Sequence, residues 1–259
     1  MMTYAVEENI AALEAMKQYP KTLFYKGNLD LLKRPKVSIV GTRKPSNYTR
    51  QFTHMLAKAL AKRGVCVVSG AALGVDGVAH AGAGEGNTIA VVANGLDIRY
   101  PAMHKNIIES IENKGLMLSQ FADGFSATSW SFVVRNELVV ALGDILIVTE
   151  ADLGSGSMRS VAYALEMGKE IWVLPQRLDE SLATNKLLSE GKAFAIHNIE
   201  SFASRFGTAV ADDRIKDDFF YFCQTSPTLE ESVKVFGARV YEAELEEIIT
   251  IRNGIVNLA

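Results

Sequence analysis

Three times in this chain a short, continuously apolar segment runs into a glycine-bearing turn. Val37-Ser38-Ile39-Val40 leads to Gly41-Thr42-Arg43-Lys44, and Val65-Cys66-Val67-Val68-Ser69 leads to Gly70-Ala71-Ala72-Leu73-Gly74. Ile145-Leu146-Ile147-Val148 passes through Thr149-Glu150 to Gly154-Ser155-Gly156-Ser157. Segments apolar at nearly every position, rather than at every second one, belong in a parallel sheet covered by helices on both faces. Ligands of such sheets bind outside the carboxyl ends of the strands. The three turns are therefore expected to converge on one crevice and to present backbone N–H groups to an anion.

The pattern between and beyond these turns keeps alternating. Helices are predicted over 48–63, 75–83, 104–113, 132–142 and 158–167, with strands at 88–92, 116–119 and 171–174. A short helix at 182–190, a strand at 193–196 and a helix at 199–206 complete the body. Each crossover is long enough for a right-handed strand–helix–strand unit. Ahead of the body, Val6, Ile10, Leu13 and Met16 are spaced for one face of a helix over residues 3–19, and Pro20 stops it. Leu23-Phe24-Tyr25 reads as a short strand. Behind the body, Thr228-x-x-Glu231 is a capping box opening a helix over 229–236. A second helix from about 240 to 249 precedes a hairpin with an Asn253-Gly254 turn. Two short helices and a hairpin suggest a winged-helix-like module. The expected domains are a helical lead-in with a short strand (1–35), a doubly covered α/β domain (36–206) and the C-terminal module (207–259).

Charge separates these parts. The whole chain of 259 residues carries a net charge of −3. From Gly207 onward five cations face ten acids, which leaves 22 cations and 20 acids in the body. An anionic ligand belongs with the body. The second helix of the tail carries Glu242, Glu244, Glu246 and Glu247, a surface that a duplex backbone would repel, so the tail reads as a protein-docking or packing module. Two separated cysteines, Cys66 and Cys223, give no disulfide framework or metal spacing. No apolar run is long enough for a membrane span, and the first residues do not resemble a signal peptide. A cytoplasmic protein without membrane insertion, cofactor or metal is expected.

The residues at the turns favour holding over chemistry. There is no G-x-G-x-x-G after the first strand and no G-x-x-x-x-G-K-[ST], so neither a dinucleotide fingerprint nor a Walker loop is present. Ser69, Ser155 and Ser157 lie on strand-end loops without a G-x-S-x-G elbow or a matching histidine. Asp76 and His80 are four apart and read as a brace for the second turn. Glu150 remains a candidate base. Arg43 and Lys44 supply charge, and Arg135 follows Trp130 and Phe132 on one predicted helix. Cations beside an aromatic ring make the composition of a single-strand nucleic-acid site, unless the rings are ordinary core. Arg159, near the start of its helix, opposes the helix dipole unless an anion faces it.

Six stretches together resemble the DNA-processing protein A (DprA, or Smf) family. They are Ile39-Val40-Gly41-Thr42-Arg43-x-Pro45-Ser46-x-Tyr48, Ser69-Gly70-x-Ala72-x-Gly74-Val75-Asp76-x-x-Ala79-His80, and Gly95-x-Asp97-x-x-Tyr100-Pro101-x-x-His104. The others are Phe132-x-x-Arg135-Asn136, Glu150-Ala151 with Ser155-Gly156-Ser157-Met158, and Ala164-Leu165-Glu166-x-Gly168-Lys169. They span roughly residues 20–200. Many members carry an arginine directly after the Arg-Asn pair, where this chain has Glu137. The resemblance implies an extended Rossmann-like fold with a small winged-helix-like C-terminal domain and no enzymatic activity. It implies single-stranded DNA bound in a basic pocket, a homodimer, and loading of the recombinase RecA during natural transformation. The DNA-binding residues expected from residues and resemblance together are Gly41, Arg43, Lys44, Ser69, Gly70, Gly74, Phe132, Arg135, Asn136, Gly156 and Ser157. Two other readings stay open. One is a nucleotide or nucleotide-sugar hydrolase resembling the lysine-decarboxylase-like phosphoribohydrolases, whose Pro-Gly-Gly-x-Gly-Thr loop corresponds here to Leu153-Gly154-Ser155-Gly156-Ser157. The other is a protein-interaction scaffold without a nucleic-acid ligand.

Overall fold

A computed structural model describes residues 2–209, 218–245 and 248–258. The chain divides into two compact units, Met1–Val210 and Ala211–Ala259.

In the first unit the strands are β1 (Tyr4–Ala5), β2 (Phe24–Gly27), β3 (Lys36–Val40), β4 (Cys66–Ser69), β5 (Thr88–Val92), β6 (Leu116–Ser119), β7 (Ile145–Val148), β8 (Ile171–Val173) and β9 (Phe194–Ala195). The helices are α1 (Asn47–Ala61), α2 (Val75–Ala83), α3 (Lys105–Lys114), α4 (Ser129–Leu142), α5 (Gly156–Glu166), α6 (Leu182–Ser189) and α7 (Ile199–Ala203). All nine strands form one sheet in the order β1-β2-β6-β5-β4-β3-β7-β8-β9. From β6 to β9 every neighbouring pair is parallel, while β2 runs antiparallel to β6 and β1 to β2. This is the mostly parallel, Rossmann-like architecture with helices on both faces.

Alternation along buried strands divides the core in two. Val37, Ile39 and Val67 pack with Leu56 and Leu60 of α1 and with Val75 and Ala79 of α2. Val40, Cys66, Val68 and Val148 face the other way, against Leu138 and Leu142 of α4 and Val161 and Ala164 of α5. Polar groups are satisfied where the core takes them in. Ser38 Oγ donates to Val139 O at 2.6 Å, joining β3 to α4. The Lys169 ammonium donates to the carbonyls of Val140, Ala141 and Gly143 at the C-terminal end of α4. A cation there complements the helix dipole, although burial lowers its pKa to about 8.

The chain steps outward from β3 through β4 and β5 to β6, then returns to place β7 on the other side of β3. The gap beyond the carboxyl ends of β3 and β7 is thus the switch point of the sheet, where crevices form.

The lead-in differs from the expected helix over 3–19. Its backbone contributes β1, paired Tyr4 to Tyr25, and a short 3-10 turn over Ala11–Ala15. The apolar spacing marked burial correctly, since Leu13 and Met16 enter the core and Val6 and Ile10 pack against it. The backbone, however, has other partners. Val6 N–H donates to Leu23 O, Ile10 N–H to the Tyr19 hydroxyl, and Lys17 N–H to the Glu137 carboxylate. Pairing with the body overrides local helical preference, which is worth only tenths of a kcal/mol per residue, ~0.7 at most for ordinary residues.

The second unit contains α8 (Asp218–Cys223), α9 (Leu229–Phe236), α10 (Arg239–Leu245) and a hairpin of β10 (Ile249–Arg252) and β11 (Ile255–Leu258). Thr228 and Glu231 form the expected capping box of α9. Phe219, Cys223, Val240, Ala243, Ile249 and Val256 make its own small core. Among the described residues no helix is long and apolar enough to cross a membrane. The tail acids Asp212, Asp213, Asp217, Glu246 and Glu247 lie outside the described residues.

Candidate nucleic-acid interface

The three glycine-bearing turns meet at one open crevice of about 550 Å³ at the switch point. Its wall includes Gly41 and Arg43 after β3, Gly70 after β4, and Gly156 and Ser157 at the head of α5. The remaining side is α4. That helix starts at Ser129, three residues before the predicted start, because Thr128 and Ser131 cap it reciprocally. The early start puts Ser129, Phe132, Val133 and Asn136 at helical spacing along the crevice.

Arg43 is exposed and stands over Phe132, with its guanidinium carbon 5.3 Å from the ring centroid. Arg135 approaches the same ring at 5.7 Å. Tyr100, half-exposed, lies 6.2 Å from Phe132 and borders a small recess beside the crevice with Arg43. Aromatic rings flanked by guanidinium groups gain cation–π attraction and form a surface on which planar bases stack.

Arg135 has a different status from Arg43. It is buried, donates to Val91 O at 3.2 Å and lies 3.8 Å from the buried Asp76 carboxylate. Burial pushes the Asp76 carboxyl up and Arg135 pulls it back; burial pushes the guanidinium down, and Asp76 opposes that. Among the described residues Arg135 Nε has no hydrogen-bond partner, and neither does the buried hydroxyl of Ser155. Both residues line the crevice.

The second turn corrects one expectation. The amides of Gly70, Ala71 and Ala72 do not face a ligand, because Gly70 and Ala72 N–H donate to Asp76 Oδ2 and Ala71 N–H donates to His80 Nε2. Asp76 and His80 therefore brace the turn as the spacing suggested. Gly70 is required for another reason: a Cβ there would overlap Arg135 Nη1. Gly74, at φ +85°, lets the second turn approach the first, and Val75 N–H donates to Thr42 O at 3.1 Å. Gly74 lies outside the crevice lining. Ser69 is buried, and its hydroxyl donates to Ile39 O, joining β4 to β3. Lys44 is exposed beyond the lining.

The third turn is arranged differently. α5 has no side-chain N-cap bond and no acid in its first turn, so its leading N–H groups remain open to an anion. Arg159 and Ser160 join the lining there. A Cβ at Gly156 would meet nothing within 4 Å. Glu150, the candidate base, instead accepts from Ser46 N–H and Ser46 Oγ at 3.0 Å each, tying β7 to the start of α1. Glu137 points away from the crevice lining to the Lys17 amide. Thr42, Tyr100 and Val133 were not singled out as site residues from the sequence. Thr42 and Tyr100 carried a signal, their places in the Ile39-to-Tyr48 and Gly95-to-His104 stretches; Val133 carried none.

Known proteins resemble this one along most of the chain. The profile of the family described as DNA recombination-mediator protein A matches residues 1–207. DNA processing protein DprA of Streptococcus pneumoniae is 38% identical over 176 residues, covering 66% of this chain and 62% of that protein. The Bacillus subtilis DprA is 33% identical over 184 residues, covering 69% and 62%. The chain thus spans less than two thirds of the length of these relatives. Among solved structures, DNA processing protein A from Helicobacter pylori, studied for its single-stranded DNA binding mode, superposes with a TM-score of 0.77 at 43% identity. That match covers 78% of this chain and 94% of the other. The Streptococcus pneumoniae DprA structure gives a TM-score of 0.72 at 31% identity, covering 80% and 75%. The chain belongs to the DNA recombination-mediator protein A family.

Proposed function

We propose that this protein binds single-stranded DNA in the switch-point crevice and does no chemistry on it. The observation that carries the reading is the meeting of Arg43, Phe132 and the uncapped head of α5 around one open space, with Tyr100 beside Phe132 at the adjoining recess. A phosphate takes the position between Arg43 and the N–H groups of Gly156 and Ser157, and a neighbouring base lies against Phe132. Asn136 lines the same wall and serves as a hydrogen-bonding group for sugar or base. The relative from Helicobacter pylori, studied for its single-stranded DNA binding mode, supports this ligand class.

Holding without reacting is supported by how the candidate groups are engaged. Glu150 is bonded to Ser46, and Asp76 to the second turn and Arg135. Neither is placed beside a serine of the crevice as a base must be. Family membership extends the proposal to a cytoplasmic homodimer that protects incoming DNA and loads RecA. The C-terminal unit is proposed as a winged-helix-like protein-docking module, consistent with its acidic composition.

Fluorescence anisotropy with labelled oligo-dT and a duplex of equal length, each at two salt concentrations, tests the reading. Preference for the single strand is expected, with affinity falling as salt rises by a log–log slope of about −0.7 per phosphate neutralised. Equal affinity for both forms, or no binding at low salt, contradicts it.

A further inference from the structure

Ala71, between Gly70 and Ala72, adopts φ +56°. This left-handed backbone costs a residue with a Cβ roughly 1–2 kcal/mol. Ala71 is buried, so solvent does not hold its peptide groups. Two histidines do. On one side Ala71 N–H donates to His80 Nε2 at 3.3 Å. The tautomer that allows this is fixed one bond further on. The Thr88 hydroxyl donates to Val67 O at 2.9 Å, so it accepts from His80 Nδ1–H at 2.6 Å and leaves Nε2 unprotonated. On the other side His104 Nδ1–H donates to Ala71 O at 3.1 Å. The imidazole of His104 occupies the space over Gly77, where a Cβ would overlap it.

We infer that His80 and His104 are positioning residues for the crevice: they hold Ala71 in its left-handed conformation, and the held turn fixes the wall on which Arg43, Phe132 and Tyr100 are set. The turn reaches the site through both of its neighbours. Gly70 gives Arg135 its place beside Phe132. Gly74 packs against the Arg43 backbone, where a Cβ would come within 2.6 Å of Arg43 Cα. His104 in addition immediately precedes α3, at the end of a 3-10 turn that follows the cis Tyr100–Pro101 pair. Without the clamp, Ala71 relaxes toward negative φ, and the peptide planes on either side of it rotate. Arg43 and Phe132 then lose their common register, although neither histidine touches the ligand. This inference rests on the crevice being the single-strand site.

The test is oligo-dT anisotropy on the full chain for His104→Ala, His104→Asn, Ala71→Gly, the double variant His104→Ala/Ala71→Gly, and Arg43→Ala, with far-ultraviolet circular dichroism to confirm folding. His104→Ala is expected to weaken binding by about fivefold, the equivalent of one hydrogen bond. His104→Asn, whose amide can donate to the same carbonyl, is expected to stay within about twofold of the wild type on the same scale. The decisive variant is the double one, because glycine adopts φ +56° without a clamp. It is expected to return to within about twofold of Ala71→Gly alone. Unchanged binding by His104→Ala while Arg43→Ala weakens it overturns the clamp and leaves the crevice standing. Weakened binding that Ala71→Gly does not restore also overturns it. If Arg43→Ala leaves binding unchanged, the crevice reading fails and the clamp falls with it.

Discussion

At the residue scale the site separates glycines that make room for protein from glycines that make room for ligand. Gly70 is filled by Arg135 on the protein side, whereas Gly156 faces open space. Gly70→Ala is expected to displace Arg135 from Val91 O and Asp76, costing about 3 kcal/mol or more, as breaking a buried ion pair does. Urea denaturation measures it. Gly156→Ala is expected to leave stability unchanged or slightly raised while weakening single-strand binding severalfold in anisotropy, because the added methyl stands where the backbone meets a phosphate. Loss of stability without loss of binding would reverse the two roles. His80 supplies a pH prediction. Burial, with His104 and Arg135 nearby, lowers its pKa to about 3 from 6.5. A folded pKa below the unfolded one means that the unfolded chain takes the proton first. Stability is therefore full above about pH 6.5 and falls toward pH 3, by at most about 1.4 kcal/mol per pH unit for one group. Thermal unfolding between pH 7 and 4 should show a shallower decline in His80→Gln than in the wild type.

At the element scale the strands were legible because burial on both faces leaves them apolar throughout, and their helices followed from the connections. The lead-in was not. Its apolar spacing is shared by a helix and by any segment laid along a core, and the Lys17–Glu137 and Val6–Leu23 bonds that decide between them are long-range. The site was legible in the same uneven way. Gly41, Arg43, Phe132, Asn136 and Gly156 line the crevice, and each follows a strand or a cap that local sequence marks. Ser69, Lys44 and Gly74 lie outside that lining; for Ser69, the last residue of β4, alternation along the strand decides which way the side chain turns, and a one-residue change reverses it. α5 offers its own prediction. Arg159 sits near the head of that helix, where a cation opposes the dipole, and it lines the crevice. Arg159→Glu should therefore raise stability by about 0.3–1 kcal/mol and weaken single-strand binding about tenfold. A variant that loses both would mean that Arg159 serves the fold and not the ligand.

At the scale of the whole molecule the sheet order carries the account. β3 and β7 are far apart in sequence and adjacent in the sheet, so the turns that follow them form one site only after the chain has wound outward and returned. No local pattern states that adjacency. It follows from the handedness and order of the parallel sheet. The central claim is that a crevice, rather than general positive charge, holds the strand. Arg43 and Lys44 separate these directly, because they are adjacent, equally charged and both exposed, yet only Arg43 lines the crevice and faces Phe132. Oligo-dT affinity is measured for wild type, Arg43→Ala and Lys44→Ala at one moderate salt concentration. A loss of tenfold or more is expected for Arg43→Ala, about 1.4 kcal/mol or greater, and at most about a twofold loss for Lys44→Ala. Equal losses from the two substitutions would contradict that claim.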